Sequence, residues 1–158
     1  MIGSEEDDRF LLCQVGSRVG ALALKDVRET MRPLPIEPLN GMPHFVLGLA
    51  VVRGAPVPVI DAGRLLSPLP STLSGTAARF VSLRLGRRTA ALAVDAVIAV
   101  RSIARQTLAQ IPPLLRESEA ELVSAIGTLD AELLLVFEAA HLLPDPIWDA
   151  IERSGASA

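Results

Sequence analysis

The chain has 158 residues, of which 50% are hydrophobic, a formal net charge of -3 and one cysteine. A chain of this length and apolar content can bury one sizeable core, so it predicts a single domain that needs neither a disulfide nor a metal for stability. The acidic balance and the aromatic content of only 3% argue against nonspecific nucleic-acid binding, which uses a positive face or aromatic stacking.

The N-terminus carries no targeting signal that we can identify. Residues 1–9 are acidic and are expected to be flexible, whereas a secretory signal would be basic and then apolar. No uncharged run reaches the roughly 18 residues that a membrane span requires. The sequence therefore predicts a cytoplasmic protein without direct membrane insertion.

The first regular elements are two apolar runs of strand length, Phe10 to Val15 and Val19 to Leu24. A glycine-containing break separates them, which is typical of a hairpin. Residues 25–31 fit a helical spacing of four and a strand period of two, so the sequence leaves that choice open. Three prolines then predict an irregular crossing over residues 33–41.

The central stretch, residues 43–61, holds two more apolar runs around an Arg53-Gly54 turn and ends on Asp61. Two prolines confine the start of the second run to an edge or a bulge. The next residues, Ala62 to Leu66, predict a single helical turn that Asp61 caps. Residues 68–75 are rich in Pro, Ser, Gly and Thr and predict a link.

The second half of the chain repeats the first. At an offset of 70 positions, Arg9-Phe10 matches Arg79-Phe80 and Gly16 matches Gly86, while at a later offset of 77 Asp61 matches Glu138. Self-similarity of this kind predicts two copies of one structural unit. Each copy offers about five short strands, which favours a small β-barrel. Two such barrels side by side would leave a groove between them, a natural place for binding.

Residues that carry chemistry are scarce. The two histidines, His44 and His141, are far apart and lack a second ligand type at a metal-like spacing. Cys13 lies in an apolar run, where a buried hydrophobic role is expected. Glycine motifs that cradle phosphate and the serine elbow of hydrolases do not occur. The sequence therefore predicts a binding protein rather than an enzyme, with no metal and no cofactor.

A spaced motif runs through the central stretch as Pro43, Phe45, Gly48, Arg53-Gly54, Pro58 and Val59-Ile60-Asp61. Together with flanking positions from Phe10 to Leu143, it resembles the pattern of the CheW family, the coupling proteins of bacterial chemotaxis. The chain departs from that pattern at two places, because Val51-Val52 stands where Asn-Leu is common and Ala62-Gly63 where Leu-Arg is common.

The resemblance implies a mainly β fold of two SH3-like five-stranded β-barrel subdomains with few short helices. It implies one CheW-like domain over residues 10–145, with subdomain 1 at about 16–75 and subdomain 2 at about 76–143 plus the first strand. Residues 146–158 are then expected to be a C-terminal tail.

The resemblance also implies a non-enzymatic adaptor that couples methyl-accepting chemoreceptors to a CheA-type histidine kinase. Carried over position by position, the receptor-binding candidates are Val27, Glu29, Arg53, Arg79 and Val100. The kinase-binding candidates are Phe45 and Leu114, and the structural turn candidates are Gly16, Gly48, Gly54 and Gly86. The alternative is a divergent β-barrel module that binds a different partner, either a small ligand or a nucleic acid, without kinase coupling.

Overall fold

A computed structural model describes residues 9–66, 78–104, 123–129, 132–139 and 142–156. The elements in these ranges are, in chain order, β1 (Arg9–Val15), β2 (Arg18–Ala23), β3 (Val27–Met31), β4 (Val46–Val52), β5 (Ala55–Asp61), α1 (Ala62–Leu66), β6 (Arg79–Leu85), β7 (Arg88–Val94), β8 (Ala96–Ser102), β9 (Val123–Leu129), β10 (Glu132–Phe137) and α2 (Asp145–Ala156). No helix within the described ranges is both long enough and apolar enough to cross a membrane. The predicted link at 68–75 and the acidic residues 1–8 lie outside these ranges.

The strands form two five-stranded sheets. The first has the order β8-β1-β2-β10-β9, and the second has the order β3-β6-β7-β5-β4. Most neighbouring strands are antiparallel, but β2 with β10 and β5 with β7 are parallel pairs. The predicted mainly β fold of two five-stranded units is therefore confirmed.

Each sheet combines strands from both halves of the chain. The β1–β2 hairpin pairs with β8 and β10, and the β6–β7 hairpin pairs with β3 and β5. The expected division at about residue 75 is thus wrong for β2 and for the β6–β7 hairpin, which lie in the opposite sheets. Local turn signals determine which strands form hairpins, but they do not determine the sheet that a finished hairpin joins.

The sequence repeat is visible in the strand order. The offset of 70 relates β1, β2 and β3 to β6, β7 and β8, and the offset of 77 relates β4 and β5 to β9 and β10. When each strand is replaced by its counterpart, the order of one sheet becomes the order of the other. The fold is therefore two equivalent units that have exchanged their first hairpins.

The exchanged hairpins are buried on both faces. In β1, Leu11 and Cys13 lie in a central core shared by the two sheets, whereas Phe10 and Leu12 lie in the separate core of the first sheet. In β6 the same alternation places Val81 in the central core and the adjacent aromatic residue in the core of the second sheet. Burying one such side chain is worth about 1.5 to 3 kcal/mol, so the shared core joins the two sheets into one cooperative unit.

Hydrogen bonds explain the local structure of residues 24–31 and the start of α1. Residues 24–26 form a 3-10 turn, and the open choice over residues 25–31 resolves as strand β3, which pairs with β6. The N–H of Arg64 donates to Asp61 Oδ1 at 3.0 Å. Asp61 therefore caps α1, as the sequence predicts, because its carboxylate satisfies a donor that the helix cannot.

The expected C-terminal tail is instead the helix α2, and its inner face is part of the central core. Trp148 and Ile151 are 6% and 5% exposed. The guanidinium of Arg88 lies 5.0 Å from the ring centroid of Trp148 and forms ion pairs with Asp145 at 3.4 Å and Glu152 at 3.2 Å. The apolar residues three apart were the available signal for this helix.

Candidate functional site

An ion pair at the surface joins two of the predicted receptor-binding residues. Arg53 Nε lies 2.5 Å from Glu29 Oε2, and Arg53 Nη2 lies 3.0 Å from Oε1, so the contact is bidentate. These hydrogen bonds lower the pKa of Glu29 and raise the pKa of Arg53. Both groups therefore stay ionised at neutral pH, and the planar fork holds the guanidinium in one orientation.

The turn that presents Arg53 explains why this side chain is exposed. Arg53 and Gly54 form the two-residue loop between Val52 and Ala55, with φ angles of +52° and +81°. Positive φ at both positions is the pattern of a type I′ turn, whose twist matches that of the strands it joins. Arginine is an uncommon residue in the left-handed region, and strained residues of this kind concentrate at functional sites. The Arg53 side chain is 72% exposed, which leaves its outer edge open to a partner.

Val100 lies on β8, the outermost strand of the first sheet among the residues that the structure describes. It belongs to β8, whose ladder in the described ranges is with β1, and 48% of its surface is exposed. Ile98 is two residues earlier in β8 and is 50% exposed. The register with β1 shifts at Ile98, so this residue adds a second exposed aliphatic side chain to the strand at an irregular position. Sequence reasoning missed Ile98, although an apolar residue two positions from Val100 was the signal for it.

The remaining receptor-binding candidates occupy different environments. Val27 is half-buried and packs against the central core, which gives it a structural contact. Arg79 is exposed at the start of β6 and lines an open cavity of about 690 Å³. The described contacts thus join Glu29 to Arg53, and they do not join Val27, Arg79 or Val100 to that pair.

Of the kinase-binding candidates, Phe45 is described and Leu114 lies outside the described residues. Phe45 packs against the central core, and its carbonyl oxygen accepts a hydrogen bond from the Asp61 N–H at 2.8 Å. Arg64 Nη1 donates to the carbonyl oxygen of His44 at 3.1 Å. The segment before β4 is therefore fixed to α1 and to the core, which gives it a defined shape.

The predicted structural glycines fall into two groups. Gly16, Gly54 and Gly86 lie in two-residue hairpin loops with φ of +60°, +81° and +69°. Gly48 departs from the prediction because it lies inside β4, at a register shift, with φ of +143°. A Cβ atom there would overlap the carbonyl oxygen of Glu37, so Gly48 permits a close approach of two backbones.

The described residues offer little for catalysis or metal binding. They contain no group of three or more His, Cys, Asp or Glu side chains that could hold a metal ion. Burial raises the pKa of the Cys13 thiol to about 12, so the thiol stays protonated and is a poor nucleophile. The Asp61 carboxylate is engaged as the helix cap. What the surface does offer is a fixed, exposed arginine and an apolar strand edge, which are features of a protein-binding site.

Comparison with known proteins connects these features to one family. Residues 9–146 match the family model described as the CheW-like domain. The chain is 32% identical over 135 residues to Protein FrzA of Myxococcus xanthus, with 83% of each protein covered. It is 22% identical over 135 residues to a probable chemotaxis protein CheW of Rhizobium etli, which covers 85% of this chain and 86% of that protein.

A solved structure supports the same fold. The crystal structure of the scaffolding protein TtCheW from Thermoanaerobacter tengcongensis matches with a TM-score of 0.73 at 21% identity. The match covers 84% of this chain and 89% of the TtCheW chain. The shared architecture therefore extends over both sheets rather than over one of them.

Proposed function

This chain belongs to the CheW family of chemotaxis adaptors, and we propose that it couples the signalling tip of a chemoreceptor to a CheA-type histidine kinase. In this proposal the protein makes no covalent change in either partner. It holds them in contact through two separate surfaces, one for the receptor and one for the kinase.

The observation that carries the proposal is the Arg53–Glu29 pair. Arg53 is exposed, sits in an uncommon left-handed conformation and is held by two hydrogen bonds. A guanidinium fixed in this way can donate its remaining N–H groups to a partner with little loss of side-chain entropy. The receptor tip would gain these polar contacts from Arg53.

The apolar part of the receptor surface would come from β8. Ile98 and Val100 present two exposed aliphatic side chains close together on β8. A helix docks on such a surface through apolar anchors and takes its orientation from polar contacts at the rim. A receptor helix lying between the barrels would use both kinds of contact.

We assign the kinase surface to a different part of the molecule. Phe45 belongs to a segment before β4 that hydrogen bonds hold in place. Leu114 lies outside the described residues and directly follows Pro112-Pro113 in the sequence. An apolar side chain on a stiff loop can anchor an interface because little entropy is lost on ordering it. The two surfaces should therefore be separable by mutation.

The test measures both affinities on the same variants. The probes are the purified cytoplasmic signalling fragment of a chemoreceptor and the regulatory domain of a CheA-type kinase, both from the organism that encodes this chain. Arg53→Glu is expected to lose receptor binding and keep kinase binding, because it reverses the charge of the proposed contact. Leu114→Asp is expected to show the opposite pattern.

The matched control is Arg84→Glu, which reverses an exposed charge on β6. It should leave both affinities unchanged. Equal losses of thermal stability in Arg53→Glu and Leu114→Asp would contradict the division into two surfaces, since both residues would then be structural. The absence of binding between the folded wild-type chain and either probe would refute the coupling function itself.

A further inference from the structure

Two arginines face each other across the edge of the second sheet. The antiparallel register of β3 and β6 pairs Met31 with Phe80 at the end of β3, so Arg32 directly follows the last pair and Arg79 precedes it on the partner strand. Both side chains line the same open cavity of about 690 Å³. The remaining lining residues are Pro33, Ala78, Asp95, Ala96 and Val97.

The cavity lies between the two sheets. Arg79 is two residues before Val81, whose side chain is in the central core, so both lie on the face of β6 that is directed toward the other sheet. The opposite wall is the start of β8, where Ala96 pairs with Gln14 of the first sheet. The arginines are therefore in the groove where we place the receptor, on a different wall from Val100.

The described residues balance the charge of these arginines only in part, because the cavity lining has one acidic side chain, Asp95, for two guanidinium groups. Like charges directly opposite on neighbouring strands destabilise a sheet. The acidic residue in the cavity wall, Asp95, accepts a hydrogen bond from the Gly16 N–H at 2.5 Å, and no ion pair between a described residue and Arg32 or Arg79 is present. An anion between the two guanidinium groups would remove this repulsion.

We propose that Arg32 and Arg79 form a carboxylate-binding site that selects receptor helices with a glutamate or aspartate at the matching position. The inference rests on the proposed function and names the chemistry of one contact within it. The guanidinium fork matches a carboxylate with two parallel hydrogen bonds. The alanine, proline and valine residues of the lining suit the aliphatic part of a glutamate side chain.

The first experiment measures binding of the receptor signalling fragment to the full chain. Arg32→Gln and Arg79→Gln keep the size and polarity of the side chain and remove its charge. Each is expected to lower receptor affinity about tenfold, since each removes a charged hydrogen bond. Arg84→Gln, on the same strand as Arg79, is the matched control and should bind like the wild type. Unchanged receptor affinity in both variants would overturn the inference.

The next experiment identifies the complementary residue. Acidic residues of the receptor fragment are changed one at a time to lysine and tested against Arg79→Glu. One such change should restore binding to this variant while weakening binding to the wild-type chain. Kinase binding by every variant serves as the test of correct folding. If no acidic receptor residue restores binding, the assignment to a receptor carboxylate is wrong.

A receptor-independent measurement keeps this inference separate from the proposed function. NMR side-chain Nε–Hε signals of Arg32 and Arg79 are followed during titration with a helical peptide that carries glutamates four residues apart. We expect both signals to shift, the Arg84 signal to stay, and a glutamine version of the peptide to have no effect. If the receptor fragment fails to bind while the glutamate peptide shifts both signals, the coupling function is refuted and the carboxylate site stands.

Two outcomes of the titration overturn the site itself. The first is the absence of any shift at Arg32 and Arg79 with the glutamate peptide. The second is saturation of both signals by inorganic phosphate at a lower concentration than by the peptide, which would assign the site to a phosphate group instead of a carboxylate.

Discussion

Replacing Gly48 by alanine is expected to cost much more stability than replacing Gly41, although both glycines have positive φ. Gly48 has φ of +143° and Gly41 has φ of +78°, so each alanine variant must strain the backbone. That strain costs about 1 to 3 kcal/mol at either position. The two sites differ in their surroundings, because nothing lies within 4 Å of a Cβ at Gly41, whereas a Cβ at Gly48 overlaps the Glu37 carbonyl group.

The overlap at Gly48 cannot be relieved by rotating a side chain, because its partner is backbone. The segment at Glu37 must move away, and this breaks its two hydrogen bonds to Leu49, which are 2.7 Å and 2.9 Å long. Each hydrogen bond contributes about 0.5 to 1.5 kcal/mol. Since the backbone strain is common to both variants, we expect Gly48→Ala to cost about 1 to 3 kcal/mol more than Gly41→Ala, the contribution of the two lost hydrogen bonds.

Urea unfolding measures this difference with a built-in probe. The chain has one tryptophan, Trp148, and it is buried in the central core, so its fluorescence reports global unfolding. With a urea dependence of about 2 kcal/mol per molar, the midpoint of Gly48→Ala should lie about 0.5 to 1.5 M below that of Gly41→Ala. Equal midpoints for the two variants would refute the reasoning, because the contact with Glu37 would then have no energetic consequence.

Three further predictions concern single side chains. The buried Cys13 thiol should not react with a disulfide reagent in the native state at pH 8. Because burial raises its pKa from 9.0 to about 12, the free energy of unfolding should fall as pH rises from about 9 toward 12. Urea unfolding at several pH values should show a smaller fall for Cys13→Ala. Trp148→Ala should destabilise the fold by about 3 to 5 kcal/mol in thermal unfolding, because it leaves a cavity in the central core, and a cost typical of a surface residue would contradict that placement. Arg53 lowers the pKa of Glu29, so the ion pair should stay intact from pH 8 to pH 5 and receptor affinity should be constant over that range. Affinity should decline as Glu29 is protonated below pH 4.5. Binding titrations with Glu29→Gln should not show this decline.

Much of the fold could be predicted from sequence because its signals are local. The glycine breaks at Gly16 and Gly86 identify hairpins, and the repeat identifies equivalent strands. The exchange of hairpins could not be predicted in the same way. Because the halves are similar, β2 fits beside β10 or beside β5 with the same apolar pattern, and only long-range packing decides between them. Helix α2 was missed because two buried residues, Trp148 and Ile151, stand among charged and proline residues.

The candidate site was predicted in part. The family motif pointed to Arg53 and Glu29, but their ion pair depends on a turn and a strand 24 residues apart, and no spacing rule connects them. Arg32 belongs to no motif, and its place in the same cavity as Arg79 depends on the long-range pairing of β3 with β6. The receptor-binding role of all these residues stays a prediction until binding is measured.

The exchanged hairpins also bear on how the chain folds as it is synthesised. The last strand of the second sheet in chain order is β7. All strands of this sheet therefore exist once Val94 has been made. The first sheet holds the earliest strands of the chain, yet it cannot close until Phe137 has been made. The β1–β2 hairpin is apolar on both faces, and it lacks its partner strands until β8, β9 and β10 have been synthesised. When Val94 has left the ribosome, the second sheet has all its strands, while the hairpin still lacks β8 and β10 and the residues that they contribute to the central core.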